Sequence, residues 1–540
     1  MIRSAAIGGV LCLTMLAAAS SGRTSEPGVS LRPAPLSAPR TIDAIVAGGR
    51  VIDGSGAAPR NSEVGIDDGR IVYVGPRPAG VTAEQMIDAT GLTVVPGFID
   101  PHTHSGSDAL SDEPGRRLLA NHLLQGVTTI VIGNDGGGDP DVGAVLTRLD
   151  RQPAGPNVAA FVGFGAVRRL ILGEADRAPT ADEQRRMEGL VGAAMCNGAL
   201  GLSSGLYYAP QSFAHTEEVI GLARAAARRD GIYETHLRDE GSSSIGLPAA
   251  IEEALTIAES AGLPLHIAHI KALGVDAQGM APRVIARIER ARTEGLRVTA
   301  DQYPWEASST RLASALVPRW AMDGGRAAMV ARLRENGARL REGMAEQLRV
   351  RGGAGAVLLV DGRYQGQRLD AIASEWDVAP LDAAIRLLIE EPGAGIVSFN
   401  MADADIEAFA RQPWVVAGSD ASGGHPRAYG SFARRWRLFV RERPVMTETE
   451  FVRRASATTA DLLGLKGRGR LLAGHAADIV ILDPAAYRER ATYAAPELPA
   501  SGVRHLFVNG RLAVANGVPT GTFAGRFLAK PRQPDWNCPE

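Results

Sequence analysis

Aromatic side chains and an excess of either charge are both scarce in this 540-residue sequence. Phenylalanine, tryptophan and tyrosine make up 5% of it, and 58 basic residues against 60 acidic residues leave a formal net charge of −2. Proteins that bind DNA or RNA carry a basic surface, and many stack bases on aromatic rings. The composition therefore argues against a nucleic-acid partner. With 45% hydrophobic residues, the chain can instead bury a large core.

Long hydrophobic runs are also missing. The N-terminal apolar run, at about 5–16, is too short to span a bilayer with ease. It follows a positively charged start and precedes three alanines, which is the pattern of a secretory signal peptide. We therefore expect residues 1–19 to be a signal peptide and residues 20–40 a flexible N-terminus. The mature protein would be exported, periplasmic or secreted, without stable membrane insertion.

Cysteine is rare as well, with three in the chain. Cys12 lies inside the expected signal peptide, and Leu11 stands where a lipid-modified cysteine would need a small residue, which argues against a lipoprotein. Cleavage would leave Cys196 and Cys538. Two cysteines are no disulfide framework, although one bridge between them is possible outside the cytosol.

Both ends of the remaining chain have the texture of β-structure. Short β-forming runs with tight turns fill residues 42–95, and Asp68-Gly69 is a hairpin signal. Similar runs return near the C-terminus. We predict one small β-sandwich domain built from residues 41–95 and 468–530.

The middle of the chain has a different rhythm. Apolar strand-like runs begin about every 33 residues from Val94 to Arg297, amphipathic helices fill the gaps, and a last run follows at 413–418. Eight such units describe an α/β protein with a (β/α)8 TIM-type barrel over residues 96–467. The long interval before the last strand predicts an insertion at about 320–395. Periodicity alone also fits a doubly wound parallel sheet.

Polar side chains stand at the ends of five of these runs. In a barrel, the residues just past the carboxyl ends of the strands line the active site. The residues at these positions are His102, His104, Asp135, His236, His269 and Asp420. His102 and His104 are two positions apart in an extended segment, so they face the same side.

Imidazole and carboxylate are ligands that zinc-type cations prefer, and an open coordination position makes such a site catalytic. We therefore predict a metal site with Zn²⁺ as one or two ions, another divalent metal being possible. A single histidine at a strand end is more often only hydrogen-bonded, but four of the ten histidines share this position. His266, inside the sixth strand, either supports a neighbour or is structural.

Longer stretches are distinctive, among them Pro-Gly-Phe-Ile-Asp-Pro-His-Thr-His at 96–104. The others lie at 49–56, 125–129, 201–210, 236–241, 269–271, 301–305, 418–420 and 425–430. Together they resemble the amidohydrolase superfamily and, more narrowly, the D-aminoacylase (N-acyl-D-amino-acid deacylase) family. The resemblance implies a zinc-dependent hydrolase that cleaves the amide of N-acyl-D-amino acids or of dipeptides containing a D-amino acid. It also favours the barrel, because the family has a flanking β domain and a mobile insertion.

The same resemblance implies roles for the residues at the strand ends. His102 and His104 would serve an outer metal site, whereas His236 and His269 would hold the more tightly bound ion. Asp420 would be the general acid and base, taking a proton from the attacking water and delivering it to the leaving amine.

Substrate binding is implied for three further residues. By the resemblance, Lys271 and Tyr303 would hold the substrate carboxylate. Lys271 is one of only three lysines in the chain. Arg427, which follows the eighth strand closely, is another candidate; the alternative is a salt bridge that organises the loop.

One position departs from the family pattern. The family usually has Gly-Asn-Cys-Gly at the end of the second strand, with the cysteine bound to zinc, but residues 133–136 are Gly-Asn-Asp-Gly. Asp135 is therefore the candidate replacement ligand. Carboxylate and thiolate carry the same charge, but the harder carboxylate weakens zinc selectivity and favours a second or different cation. The alternative is an aspartate of a glycine-rich turn.

Two other functions stay open. A related periplasmic amidohydrolase could act on another linear or cyclic amide, although the stretches at 201–210 and 425–430 argue against a cyclic amide. A non-catalytic binding protein could also retain the barrel. The acyl group, the preferred side chain and the oligomeric state are not predicted.

Overall fold

The computed structural model describes residues 39–538. The predicted signal peptide, residues 1–19, and nearly all of the predicted flexible segment 20–40 lie outside the described residues. Arg40 already belongs to a strand, Arg40–Ala47. Within the described part of the chain, no helix combines the length and apolarity needed to cross a bilayer.

Eight parallel strands form the centre of the fold. In chain order they are Phe98–Asp100, Val127–Ile132, Asn157–Ala160 continued by Val162–Gly163, Gly201–Gly205, Ile232–His236, Leu265–Ile267, Val298–Gln302 and Val415–Ala417. Each pairs in parallel with the next. A parallel bridge between Thr103 and Ala421 joins the last strand to the first. The sheet is thus closed, which confirms the predicted barrel and rules out the doubly wound alternative, an open sheet.

Helices surround the barrel, and most of them bury apolar side chains against its strands. They are Gly106–Ala109, Pro114–Arg117, Ala120–Leu123, Val142–Arg151, Phe164–Leu172, Ala181–Cys196, Thr216–Ala227, Leu247–Ala261, Ala281–Thr293, Asp403–Ala410, Arg427–Trp436, Glu448–Ala455 and Ala457–Leu463. Thr180 and Glu183 form a capping box, in which each side chain accepts a hydrogen bond from the other residue's backbone N–H. The box satisfies two N–H groups that the helix Ala181–Cys196 would leave unpaired.

The two ends of the chain meet in one β domain of two sheets. The strands of the first sheet, in spatial order, are Arg70–Gly75, Glu63–Asp67, Arg40–Ala47 and Val81–Asp88. Those of the second are Val518–Pro519, Arg511–Ala515, Val503–Val508, Ile479–Leu482, Thr93–Pro96, Arg50–Val51 and Arg60–Asn61. The antiparallel pair of Thr93–Pro96 with Ile479–Leu482 joins the N-terminal to the C-terminal segment. Val46, Ile66 and Ile481 are among the buried side chains that form the core of this domain.

The insertion lies between the seventh and eighth barrel strands and has its own sheet. Its strands are antiparallel and lie in the order Ala307–Arg311, Gly395–Phe399, Val357–Leu359. Its helices are Leu312–Leu316, Gly325–Glu335, Ala338–Val350, Leu369–Glu375 and Pro380–Glu390. The inserted unit therefore extends beyond the predicted 320–395 at both ends. The strand Ala307–Arg311 is mainly polar and closely follows the seventh barrel strand, so it lacked a separate signal. The strand Gly395–Phe399 begins at the predicted C-terminal limit.

The C-terminal segment runs back along the barrel after leaving the β domain. Phe527 bridges in parallel to Val158 of the third barrel strand, and Lys530 N–H donates to the Gly198 carbonyl. A disulfide joins Cys538 to Cys196 at the end of a barrel helix. The two cysteines expected in the mature chain are thus bonded to each other.

Candidate metal centre

The six histidines and aspartates singled out at the strand ends lie together. Within the first group, the candidate ligand atoms of His102, His104, Asp135 and Asp420 all lie within 4.8 Å of one another. His104 Nε2 is 3.1 Å from Asp420 Oδ1 and 3.5 Å from Asp135 Oδ2. Residues from the first, second and eighth strands therefore meet at one point, because the parallel strands all end at the same rim.

A second group shares one residue with the first. The ligand atoms of Asp135, His236 and His269 also lie within 4.8 Å of one another. Asp135 Oδ2 is 3.5 Å from both His236 Nδ1 and His269 Nε2, while Asp135 Oδ1 is 3.5 Å from His102 Nε2. Asp135 Oδ1 thus faces His102, while Oδ2 is equally close to His104 of the first group and to both histidines of the second. The carboxylate lies between the two groups and would serve both if metal were bound.

Three of these residues have an uncommon backbone conformation. The φ angles of Asp135, His269 and Asp420 are +55°, +32° and +49°. Side-chain-bearing residues rarely adopt this left-handed region, which costs on the order of 1 kcal/mol or more per residue. The turn at each strand end points the side chain toward the rim. The strained backbone conformation thus orients these side chains in the site.

The electrostatics of the site favour a cation. Burial by itself works against charging His102, but Asp135 and Asp301 raise its pKa well above the usual value. Burial would likewise raise the pKa of the Asp420 carboxyl, yet Arg427 and His269 hold it well below its ordinary range. Burial and then Lys271 oppose charging His269, but neighbouring carboxylates raise its pKa to about 9. Imidazoles that attract protons this strongly lie in a negative potential.

Sequence analysis missed a layer of buried carboxylates beneath the ligands. Glu234 Oε1 lies 3.4 Å from His102 Nδ1, and its Oε2 accepts the backbone N–H of Asp135 at 3.3 Å. Burial raises the pKa of Glu234 to about 8. Partners of this kind fix which imidazole nitrogen faces the metal. Glu234 stands two residues before His236 in a strand, so it faces the same interior, which was the available signal.

Asp301 is the second such carboxylate. Its Oδ1 accepts the His269 backbone N–H at 3.1 Å and lies 3.1 Å from His266 Nε2 and 3.7 Å from His102 Nδ1. His266 therefore supports a neighbour, which was one of its two readings. Asp301 ties the first strand to the sixth and seventh beneath the site.

The three predicted substrate-binding residues line the same cavity as the ligands. Lys271 Nζ is bonded to Glu240 Oε1 and lies 2.7 Å from His269 Nδ1. Arg427 Nη1 pairs with Asp420 Oδ2 at 2.7 Å, which is the salt bridge foreseen as its alternative role. The buried Tyr303 hydroxyl has no hydrogen-bond partner among the described residues.

The cavity above the strand ends has a volume of about 670 Å³. His104, Asp135, His236, His269 and Asp420 form its floor. One wall belongs to the insertion, through residues 308–311, 351, 360, 361 and 395. This volume is ample for an acylated amino acid.

The donor set fits a divalent cation. Three buried atoms that lie close together have no hydrogen-bond partner within residues 39–538: His102 Nε2, Asp135 Oδ1 and Asp420 Oδ1. Buried polar atoms are nearly always paired, so three unpaired ones at one point indicate a ligand site. Imidazole and carboxylate donors suit zinc and similar divalent metals.

A closed (β/α)8 barrel with candidate imidazole and carboxylate ligands at its strand ends is the architecture of a metal-dependent enzyme. The profile described as "Amidohydrolase family" matches residues 85–514. The chain belongs to the amidohydrolase family, as its motifs predicted.

Several relatives match over their full length. N-acyl-D-glutamate deacylase from Alcaligenes xylosoxydans xylosoxydans is 32% identical over 515 residues, covering 91% of this chain and 97% of the relative. The crystal structure of N-acyl-D-glutamate deacylase from Bordetella bronchiseptica, complexed with zinc and a phosphonate mimic of the tetrahedral intermediate, has a TM-score of 0.77 and 31% identity, covering 91% of this chain and 100% of that one. A D-aminoacylase with a binuclear metal centre has the same TM-score and coverage at 29% identity. Zinc and a binuclear centre in these structures confirm the predicted kind of cofactor.

Proposed function

We propose that this protein hydrolyses the amide bond of N-acyl-D-amino acids, including dipeptides with a D-residue. The observation that carries this proposal is the pair of ligand groups sharing Asp135, with Asp420 3.1 Å from His104 and 2.7 Å from Arg427. Relatives named N-acyl-D-glutamate deacylase, D-aminoacylase and N-acyl-D-aspartate deacylase, at 31–32% identity, support the substrate class.

Asp420 carries the proton transfers in this proposal. His236, His269 and Asp135 would hold one cation, and His102 and His104 would join Asp135 and Asp420 around a second. A divalent cation, when bound, acidifies water and polarises the amide carbonyl. Asp420 accepts the proton that the attacking water loses and then delivers it to the leaving amine. Arg427 keeps the Asp420 carboxylate ionised and fixes its orientation.

Lys271 and Tyr303 are proposed to receive the α-carboxylate of the substrate. The Tyr303 hydroxyl has no hydrogen-bond partner within residues 39–538, and Lys271 Nζ lies 5.8 Å from the centre of the Tyr303 ring. Glu240 holds the Lys271 ammonium group in position and does not occupy all three of the N–H donors of Lys271. The Lys271 ammonium group and the Tyr303 hydroxyl can together bind one carboxylate between them.

The test is hydrolysis of a matched panel of N-acetyl-D- and N-acetyl-L-amino acids, with metal content measured on the same sample. We expect turnover of D-substrates, loss of turnover with a chelator, and its return with Zn²⁺. Turnover restricted to L-substrates or to cyclic amides would refute the proposal in favour of a related amidohydrolase. A metal-loaded, folded protein without any amidase turnover would indicate a binding protein.

We also propose that the mature protein is exported. The disulfide between Cys196 and Cys538 supports this, because such bonds persist mainly in oxidising compartments. The check is expression of the full chain in a Gram-negative host, followed by fractionation and thiol titration. Protein recovered in the cytosol at full length with three reactive thiols, Cys12 included, would contradict export.

A further inference from the structure

Five basic side chains line the cavity: Arg169, Lys271, Arg311, Arg351 and Arg427. Four of them have a carboxylate oxygen between 2.5 and 3.9 Å away, contributed by Glu174, Glu240, Asp361 and Asp420. Arg351 makes no ion pair with any of the described residues. Arg169 and Arg311 are more than half exposed, so solvent screens their charges. Among the buried cavity cations Lys271, Arg351 and Arg427, Arg351 is the one without a carboxylate partner within residues 39–538.

The groups that accept hydrogen bonds from Arg351 are all uncharged. This residue follows the inserted helix Ala338–Val350 and is only 3% exposed. Its Nη2 donates to the Tyr207 hydroxyl at 2.8 Å, its Nε to the Ala315 carbonyl at 3.4 Å and its Nη1 to Ser398 Oγ at 3.5 Å. A buried charge with only neutral acceptors leaves much of its desolvation cost uncompensated. A carboxylate from a ligand would compensate it through charge-assisted hydrogen bonds.

A second guanidinium lies behind Tyr207, in a neighbouring cavity and not in this one. It belongs to Arg319, which lies 4.1 Å from the centre of the Tyr207 ring and likewise has no ion-pair partner among the described residues. Both arginines lower the pKa of the Tyr207 hydroxyl, against the effect of its burial. This wall is therefore positive, whereas the floor carries the carboxylates of Asp135, Glu240 and Asp420.

Arg351 is also at a suitable distance from the reaction. It contacts the hydroxyl of Tyr207, and the centre of the Tyr207 ring lies 5.6 Å from that of His236. One tyrosine ring thus separates the guanidinium from a candidate metal ligand. A substrate whose amide lies at the floor would reach Arg351 with the far end of a side chain, not with its α-carboxylate.

We propose that Arg351 is a specificity-determining residue that binds an anionic group at the end of the substrate side chain. The preferred substrates are then N-acyl derivatives of acidic D-amino acids. This inference rests on the proposed hydrolysis of N-acyl-D-amino acids and assigns the side-chain class that the sequence left open.

The experiment compares N-acetyl-D-glutamate with N-acetyl-D-glutamine, which differ only in the charge at the end of the side chain. We expect the wild-type protein to favour the glutamate substrate at least about tenfold in kcat/KM, the range of one hydrogen bond to a charged group. Arg351→Met should remove this preference and leave kcat/KM for the glutamine substrate within about threefold of wild type. Arg351→Lys should keep part of the preference, because the charge remains while the planar fork is lost.

Arg169→Met is the matched control. Arg169 lines the same cavity but is 52% exposed and already paired with Glu174, so its loss should leave the glutamate-to-glutamine ratio unchanged. A wild-type protein that does not favour the glutamate substrate would overturn the inference. So would an Arg351→Met protein that folds and loses both substrates equally.

Failure of the proposed function is distinguishable from failure of this inference. If no N-acyl-D-amino acid is hydrolysed, the proposed function is wrong, and calorimetric binding of D-glutamate and D-glutamine decides the role of Arg351. Stronger binding of D-glutamate that Arg351→Met abolishes would support an anion site. Equal binding of the two ligands to the wild-type protein would refute it.

Discussion

The floor and the inserted wall of the cavity differ in whether their basic side chains have carboxylate partners. On the floor, Arg427 is paired with Asp420 and Lys271 with Glu240, so both cations have a partner within the protein. On the wall, Arg351 has only neutral acceptors among residues 39–538. The floor would thus be complete with its metal, while the wall is complete only with an anionic ligand. Changes to the floor should abolish turnover, and changes to the wall should change which substrate is chosen.

The largest effect is expected from Asp420→Asn. The amide retains the shape of the side chain but cannot accept the proton from water, so kcat should fall about 10³-fold or more. The variant should fold and retain metal at His236 and His269, as measured by elemental analysis.

Retained turnover in Asp420→Asn would break the comparison, because the floor would then not carry the chemistry. A variant that loses all of its metal would show Asp420 mainly as a ligand, not as the proton carrier.

Asp135→Ala should follow, because it removes the residue shared by both ligand groups. We expect metal affinity, measured by competition with a chromogenic chelator, to fall by more than about 100-fold. Asp135→Cys keeps one negative donor at the same position and should retain zinc.

Glu234→Gln should lower metal affinity less than Asp135→Ala does. Glu234 contacts Asp135 N–H and His102 without belonging to either ligand group. Its loss should lower metal affinity about 10–100-fold, less than the loss of Asp135. Equal metal affinity in Asp135→Ala and the wild type would identify Asp135 as a turn residue only.

Lys271→Met should have a smaller effect that depends on the substrate. We expect KM to rise about tenfold for N-acyl-D-amino acids and to change little for their α-amides, because only the former present a carboxylate. An equal rise for acids and amides would remove Lys271 from substrate binding and leave it as the partner of Glu240.

The smallest catalytic effect is expected far from both floor and wall. Cys196→Ser breaks the bond to Cys538, and kcat and substrate preference should stay at wild-type values. The free energy of unfolding should decrease by about 2–4 kcal/mol, measured by denaturant titration. Cys538→Ser is the matched variant, and a loss of turnover in either would show that the C-terminal segment controls the rim.

The barrel and its ligands could be predicted because the sequence shows locally where each strand ends and in which order the strands follow along the chain. His102, His104, Asp135, His236, His269 and Asp420 each follow an apolar run, and parallel strands bring such positions to one rim. The pairing of the chain ends was also predictable. Each end is a series of β-forming runs, and no helix interrupts either series. The limits of the insertion were less predictable, because the strand Ala307–Arg311 directly follows the seventh barrel strand.

The balance of charge could not be predicted in the same way. Glu234 and Asp301 were visible as acidic residues in buried strands, but their partners come from other strands. Nothing near Arg351 in the sequence indicates that it lies in the cavity, next to Tyr207 from the fourth barrel strand's loop.

By itself, the sequence determined the βα repeat, the β-forming runs at both ends and the set of metal-ligating residue types. Periodicity and spacing specify these, because they act over a few residues or one repeat, whereas the family motifs favoured the barrel over a doubly wound sheet. Only the tertiary structure decided that Asp135 is shared by two groups, that Arg427 is engaged by Asp420 and that Arg351 has no counter-charge among the described residues. Each of these depends on distances between residues far apart in the chain, and electrostatic pairing is set by those distances and by burial.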